Sequence, residues 1–181
     1  MAATADHLQA GLVAIRMSPP DEGTIELIVR RPGVEEREVV EEAELDAADG
    51  LVGDNWRERG SRKMEDGSAN PKAQLTVMNT RLAALVAGER ERWALAGDQL
   101  CVDLDLSRGN LPPGTRLAVG SAVIEVTDEP HTGCAKFSAR FGSDALRFIN
   151  SPEGRRLNLR GINTRVVESG TVRRGDMIRK L

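Results

Sequence analysis

The 181-residue chain carries a formal net charge of −3, with 40% hydrophobic and 29% charged residues, as in ordinary soluble globular proteins. Aromatic residues make up only 3% and tyrosine is absent, which argues against a stacking platform for single-stranded nucleic acid. Two cysteines cannot form a disulfide framework, and no Cys/His pair has zinc-finger spacing. The length suits a single domain, residues 1–181, with a sizeable core.

The N-terminal segment, residues 1–7, lacks the basic and apolar regions of a signal peptide. No apolar run in the sequence is long enough to cross a membrane. Together with the low cysteine content, these features lead us to expect a cytoplasmic protein with no membrane partner.

Charge is unevenly distributed along the chain. Residues 131–181 contain 11 Lys/Arg and 4 Asp/Glu, whereas residues 1–130 contain 14 Lys/Arg and 24 Asp/Glu. This asymmetry indicates either an anionic partner for the C-terminal third or simply a solvated basic face. A small phosphorylated ligand fits better than a nucleic acid, because the whole chain is acidic and contains no nucleic-acid recognition motif.

The N-terminal part of the chain is expected to form short strands separated by turns. Residues 11–16 are predicted to be a first strand, and residues 24–30, rich in β-branched side chains, a second. Turn-forming residues separate the two segments. Residues 35–44 are acidic with two central valines, which favours a strand over a helix.

A glycine-rich bend follows at residues 49–56. Two glycines bracket a Leu-Val pair there, and Asp54 and Asn55 come directly after the second glycine. This pattern indicates a bend that feeds a functional site or a corner of the core. Residues 57–72 are polar and charged and are predicted to be an exposed or mobile loop.

The middle of the chain alternates between strands and short helices. Residues 73–79 are predicted to be a central strand, and residues 79–80 can cap a helix over residues 81–87 that Gly88 ends. A second short helix is expected over residues 89–95.

A further strand is expected over residues 99–104, and it contains the first cysteine. Strict alternation places Cys101 opposite Leu100 and Val102, so the pattern does not fix the face on which its side chain lies. We interpret Cys101 as structural, because free cysteines commonly behave as small buried hydrophobes.

The last third contains an irregular connector at residues 106–114 and then several short elements. Helical turns are expected over residues 137–142 and 143–150, and a further helix starts where Ser151 precedes Pro152. The remaining strands are predicted over residues 116–120, 122–127, 161–168, 171–173 and 177–178. Many short strands, few short helices and no β-helix-β rhythm predict a mainly β fold, α+β by content: a closed or nearly closed β-barrel with helical insertions.

The loop at residues 129–137 carries the strongest chemical signal in the sequence. It contains Cys134, and a thiolate there would be favoured by a helix start and by the charges of Lys136 and Arg140. His131 is a candidate for proton transfer near neutral pH. The alternatives are that Cys134 is an incidental hydrophobe and that His131 is merely solvated.

The order of these motifs resembles the MOSC domain, the family named for the C-terminal domain of molybdenum cofactor sulfurase. The resemblance covers nearly the whole chain, and the cysteine loop is its most specific part. Many members have proline directly before the cysteine, where this chain has Gly133, and the usual asparagine of a Gly-Glu-Asn segment is Gln99. The matching segments are residues 50–54, 74–78, 97–100, 124–136, 161–162 and 170–176.

The resemblance implies a β-barrel that binds the molybdenum cofactor, a pterin phosphate that holds molybdenum through sulfur. It implies that Cys134 carries sulfur as a persulfide for sulfur transfer, or ligates molybdenum directly in the reduction of N-hydroxylated compounds. Both roles suit a thiolate. The candidates for binding this cofactor are basic residues of the C-terminal third and polar residues near the barrel mouth: Lys136, Arg140, Arg147, Asp54, Asn55, Gln74 and Gln99.

The resemblance also implies partners. Pyridoxal phosphate accompanies the family only through a separate desulfurase domain, for which this chain has no room, so it is not expected here. A persulfide would therefore require a sulfur-donor desulfurase, and a reductase would require an electron-donor protein. Two other functions stay open: a non-catalytic module that carries the cofactor, and a β-barrel scaffold in which Cys134 is incidental.

Overall fold

The computed structural model describes residues 3–181, in which short strands and helices follow one another. The strands are β1 (Glu22–Arg30), β2 (Glu38–Val40), β3 (Glu42–Asp46), β4 (Gly50–Leu51), β5 (Leu75–Asn79), β6 (Leu100–Val102), β7 (Arg116–Val119), β8 (Ala122–Val126), β9 (Ile162–Glu168), β10 (Gly170–Arg173) and β11 (Met177–Lys180). The helices are α1 (Ala5–Arg16), α2 (Trp56–Arg59), α3 (Thr80–Ala87), α4 (Ala135–Phe141), α5 (Ser143–Asn150) and α6 (Pro152–Arg156), with 3₁₀ turns at Pro71–Ala73 and Arg90–Ala96.

Seven strands close into a barrel in the order β1-β6-β5-β9-β8-β7-β11, because β11 pairs back with β1. Neighbours in the barrel are antiparallel except β5 and β6, which run parallel. β2 extends the sheet beside β1, and β10, β3 and β4 form a separate three-stranded sheet. The predicted β-barrel with several short helices is confirmed.

Two hydrophobic cores lie on the two faces of the barrel wall. Aliphatic side chains from all seven barrel strands fill the interior, among them Leu100 and Val102 of β6. Cys101 lies between them and faces outward, where the helices cover it together with Met78 and Phe141. The alternation of β6 therefore places Cys101 between the barrel and the helical layer.

The predicted strand at residues 11–16 is wrong, because these residues form the last turns of α1. Leu8, Leu12 and Ile15 recur at helical spacing and are buried in the helical layer, where α1 packs on α3 and α5, whereas Val13 is 64% exposed. The hydroxyl of Thr4 caps the helix by accepting a hydrogen bond from the His7 amide. The apolar run around Val13 hid this periodicity in the sequence.

The predicted loop at residues 57–72 begins and ends with helical structure. Its first residues belong to α2, and its end forms a 3₁₀ turn. The side chain of Trp56 is buried, and its indole N–H donates to the carbonyl of Asn70 at 3.3 Å. This hydrogen bond connects the beginning of the loop with its end.

Local capping signals set both ends of α3 and the start of α6 as predicted. The Asn79 side chain accepts hydrogen bonds from two amides at the start of α3, and Gly88 ends that helix at a φ of 71°. Ser151 caps α6, where its hydroxyl accepts from the Gly154 amide at 2.9 Å. None of the helices within residues 3–181 combines the length and apolarity needed to span a membrane.

Candidate functional site

The loop between β8 and α4 lies at one end of the barrel and is fixed from two sides. The Asn163 side chain on β9 donates to the Glu129 carbonyl at 3.0 Å. On the other side, the Asn150 side chain accepts from the Gly133 amide at 3.0 Å and donates to the Gly133 carbonyl at 3.2 Å. The barrel and α5 therefore hold the backbone on either side of His131.

A pocket of about 450 Å³ opens beside this loop. It is lined by basic side chains that come from distant parts of the sequence, and we call it the basic pocket. Glu129 is its one acidic lining residue among those that the structure describes, and it forms an ion pair with Lys63. The basic lining residues are Arg31, Arg59, Arg62, Lys63 and Arg160.

A buried carboxylate holds Arg31 in place at the end of β1. The side chain of Asp54 is fully buried and binds the guanidinium in bidentate geometry, with Nε–Oδ1 at 2.8 Å and Nη2–Oδ2 at 2.7 Å. The third guanidinium nitrogen, Nη1, donates to the Gly97 carbonyl at 3.0 Å. Asp54 therefore positions Arg31 at the pocket wall and is itself out of reach of a ligand.

A second buried pair, Arg160 with Asp98, lies beneath the loop. Arg160 Nη1 donates to Asp98 Oδ2 at 2.6 Å, and Nη2 donates to the Ala96 carbonyl at 3.0 Å. The guanidinium also stacks over Phe137 of α4, 5.2 Å from the ring centroid. Burial raises the pKa of Asp98, and the charge of Arg160 opposes that effect.

His131 projects toward the free oxygen of this pair. Its Nδ1 lies 3.6 Å from Asp98 Oδ1, beyond hydrogen-bond distance, and both buried atoms lack a hydrogen-bond partner. Burial and the positive charges of Arg160, Arg31 and Lys63 hold the pKa of His131 well below 6.5. The imidazole is therefore neutral at neutral pH, and one ring nitrogen can accept a hydrogen bond.

The two cysteines differ sharply in environment. Cys134 is exposed and occupies the N-cap position of α4, without a hydrogen bond from its side chain to the helix. It lies two residues beyond Thr132, which lines the basic pocket, so the two Cα atoms are at most about 7.6 Å apart. Cys101 is buried, and burial raises the pKa of its thiol. Cys134 is therefore the thiol within reach of a ligand.

The basic residues predicted to bind phosphate lie outside the basic pocket. Lys136 and Arg140 both pair with Glu35, the former at 2.6 Å, and together they lower the pKa of Glu35 to about 2. Arg147 is 73% exposed and pairs with Asp144 on its own helix. None of the three lines the basic pocket.

The predicted polar residues near the barrel mouth mostly bridge strands. Gln99 Oε1 accepts from the Thr76 amide and hydroxyl at 2.8 and 2.6 Å. Gln74 Oε1 accepts from the Val166 amide at 2.7 Å, and its amide nitrogen donates to a carbonyl before β4. The side-chain oxygen of Asn55 is buried without a hydrogen-bond partner.

Sequence reasoning missed the arginines that do line the site. Arg31 directly follows β1, and Arg160 stands just before β9. Both guanidinium groups bind the turn before β6, Arg31 at the Gly97 carbonyl and Arg160 at the Ala96 carbonyl. The only sequence signal for these arginines is their position next to predicted strand ends. That position identifies a shared site only when the pairing of the strands is known.

The sequence and the fold are similar to those of known proteins. A sequence model described as the MOSC domain matches residues 64–179. The fold is similar to the crystal structure of the YuaD protein from Bacillus subtilis, with a TM-score of 0.66, 16% identity, and 87% of this chain and 94% of that chain covered. It is also similar to YiiM from Escherichia coli, with a TM-score of 0.55, 19% identity, and 87% and 69% covered. A search of curated proteins found no match.

Proposed function

This chain belongs to the MOSC domain family, and on that premise we propose that it binds the molybdenum cofactor in the basic pocket, with Cys134 as the sulfur ligand. The carrying observation is the convergence of five basic side chains on one pocket beside the cysteine loop. Guanidinium and ammonium groups are the residues that proteins use to bind phosphate. The anionic phosphate of a pterin phosphate would be held there.

Uncompensated positive charge in the pocket supports an anionic ligand. Arg59 and Arg62 have no carboxylate within ion-pair distance in the described chain, residues 3–181. Burial and the charges of Arg31 and Arg37 lower the pKa of Arg59, so the cations already repel one another. The buried Nε of Arg160 also lacks a hydrogen-bond partner. A bound phosphate would relieve this repulsion.

The loop provides an exposed thiol two residues beyond Thr132, which lines this pocket, although Cys134 itself lines neither pocket. A thiolate is a soft ligand that suits a polarisable metal, and Cys134 is exposed. When bound, the cofactor would supply the molybdenum centre at which oxygen or sulfur is transferred. His131 lines the pocket with a neutral ring, which would form hydrogen bonds with the ligand and, with its lowered pKa, would be a weak base.

Direct ligation of molybdenum by Cys134 is the finer function that we favour, in a reductase acting on N-hydroxylated compounds. Asn163 and Asn150 fix the loop on both sides, and a fixed thiol suits a metal ligand better than a carrier that must reach a partner. The second candidate is a persulfide on Cys134 for sulfur transfer, which the exposure of this thiol favours.

Analysis of molybdenum and pterin in protein purified from cells with an intact cofactor pathway tests the proposal. We expect near-stoichiometric molybdenum and pterin in the wild type, loss of molybdenum in Cys134→Ser, and loss of pterin in the double variant Arg59→Gln/Lys63→Gln. Arg147→Gln is the matched control, because Arg147 lies on the exposed face of α5. Neither metal nor pterin in the wild type would contradict the proposal.

Mass spectrometry of the same preparations separates the two finer functions. Direct ligation predicts molybdenum without a sulfur adduct on Cys134, together with turnover of an N-hydroxylated compound when a chemical reductant is supplied. A persulfide on Cys134, 32 Da heavier (about one sulfur atom) and without turnover, would instead identify a sulfur carrier.

A further inference from the structure

A second pocket of about 360 Å³ lies against the same loop, and we call it the apolar pocket. Its apolar lining comes from the connector before β7, from the ends of two barrel strands and from α5: Leu111, Val126, Ile149 and Ile162. Each of these side chains is at most 4% exposed, so the pocket is recessed into the packed structure. Its volume lies within the range of small-molecule sites, and polar side chains surround this apolar part.

The two pockets meet at the cysteine loop. Gly161 adjoins this shared wall, with a φ of +105° that favours glycine. A Cβ atom there would lie 2.4 Å from the Val77 carbonyl oxygen and 3.4 Å from His131 Nδ1. The absence of a side chain at this position therefore lets the backbone pack closely against His131. Both pockets are lined by Glu129, Pro130, His131, Thr132, Arg160 and Asn163.

The unpaired charge of the apolar pocket lies at its solvent side. Its two acidic lining residues are matched by lysines, Asp128 by Lys72 at 2.8 Å and Glu129 by Lys63. In contrast, Arg108 and Arg155 are exposed and have no ion-pair partner within residues 3–181. An anionic group is therefore the complementary ligand at this side.

We infer that the apolar pocket binds the organic reactant of this protein, a small organic anion whose apolar body lies among the aliphatic side chains and whose acid group pairs with Arg108 and Arg155. The opposite end of such a molecule would reach the wall formed by His131, across which the basic pocket lies. This inference rests on the proposed function, in which the basic pocket takes the cofactor.

Binding of 3-phenylpropanoate, followed by methyl NMR of the full chain, tests the inference. We expect the largest shifts at the methyl groups of Ile149, Ile162 and Val126, and none at Ala73 or Thr76, which line only the basic pocket. The uncharged analogue 3-phenylpropanol should bind more weakly, because it cannot pair with the arginines. Shifts at Ala73 and Thr76 instead, or equal binding of the alcohol, would overturn the inference.

Charge variants give a second readout. Arg108→Gln and Arg155→Gln should each weaken binding of 3-phenylpropanoate about three- to fivefold, as expected for a single solvent-facing ion pair. Arg156→Gln is the matched control, because Arg156 neighbours Arg155 on α6 and does not line the apolar pocket. Unchanged affinity in the double variant Arg108→Gln/Arg155→Gln would also overturn the inference.

Molybdenum and pterin content, measured on the same preparations, separates this inference from the proposed function. Normal cofactor content with no arginine-dependent probe binding would overturn the inference alone. If the probe binds through the arginines but the protein contains no molybdenum or pterin, the proposed function is overturned. The apolar pocket would then be an organic-anion site and not the site of a reactant.

Discussion

The strand around Cys101 and the loop around Cys134 present the same side-chain chemistry in opposite surroundings. Cys101 lies in the barrel wall, where apolar side chains of the barrel and the helices enclose it. Cys134 stands at the start of α4 in a loop that side-chain amides hold in place. Burial keeps reagents away from the Cys101 thiol and disfavours its thiolate form. Of the two thiols, Cys134 is therefore the one that a reagent or a metal can reach.

Alkylation should show the largest difference between the two regions. In the folded protein, we expect iodoacetamide to modify Cys134 at least about a thousandfold faster than Cys101, because Cys101 requires an opening of the core before it reacts. Peptide mapping by mass spectrometry over time gives both rates, and the protein in denaturant is the control in which the rates should converge. Comparable rates in the native protein would contradict the burial of Cys101.

The pair between Asp98 and Arg160 connects the two regions, because Asp98 precedes β6 and Arg160 lies under the loop. Asp98→Ala leaves a buried guanidinium unpaired and should lower the free energy of unfolding by about 3–5 kcal/mol. The exposed Arg147→Ala, which also breaks an ion pair, should cost no more than about 0.5 kcal/mol. Urea denaturation measures both, and a small effect of Asp98→Ala would show that water compensates Arg160.

Serine substitution compares the two cysteines directly. Cys101→Ser places a hydroxyl in the apolar layer around Met78 and should destabilise the fold by about 1–3 kcal/mol. Cys134→Ser lies at an exposed cap position and should change the free energy of unfolding by less than about 0.5 kcal/mol. Equal losses in urea denaturation would mean that the thiol of Cys134 has a packing role.

Acidification should reveal the buried state of His131. The folded protein keeps this imidazole neutral, with its pKa well below 6.5, whereas the unfolded chain binds a proton near pH 6.5. The unfolded state therefore binds more protons as the pH falls below about 6.5, and the folded state loses stability there. Between pH 7 and 5.5 we expect the free energy of unfolding, measured by urea denaturation, to fall by about 1 kcal/mol in the wild type because of His131. His131→Gln should remove this loss. An NMR titration midpoint of His131 near 6.5 in the folded wild type would contradict the prediction.

The sequence alone predicts the features that depend on neighbours in the chain. Asn79 and Ser151 cap their helices as expected, since a cap requires only the amides two or three residues away. The short strands with turns between them predict the barrel, and the motif order predicts the family. The one clear failure among the elements, α1, arose where the apolar residues around Val13 masked the spacing of the buried leucines.

The tertiary structure decides which distant residues meet. The basic C-terminal third predicted Lys136 and Arg140 as phosphate-binding residues, yet both pair with Glu35 outside the basic pocket. The pocket instead combines Arg31 with Arg160, residues far apart in the sequence that both bind the turn before β6. Local patterns are set by backbone geometry within a few residues, whereas the composition of a site depends on strand pairing, which no single segment of sequence encodes.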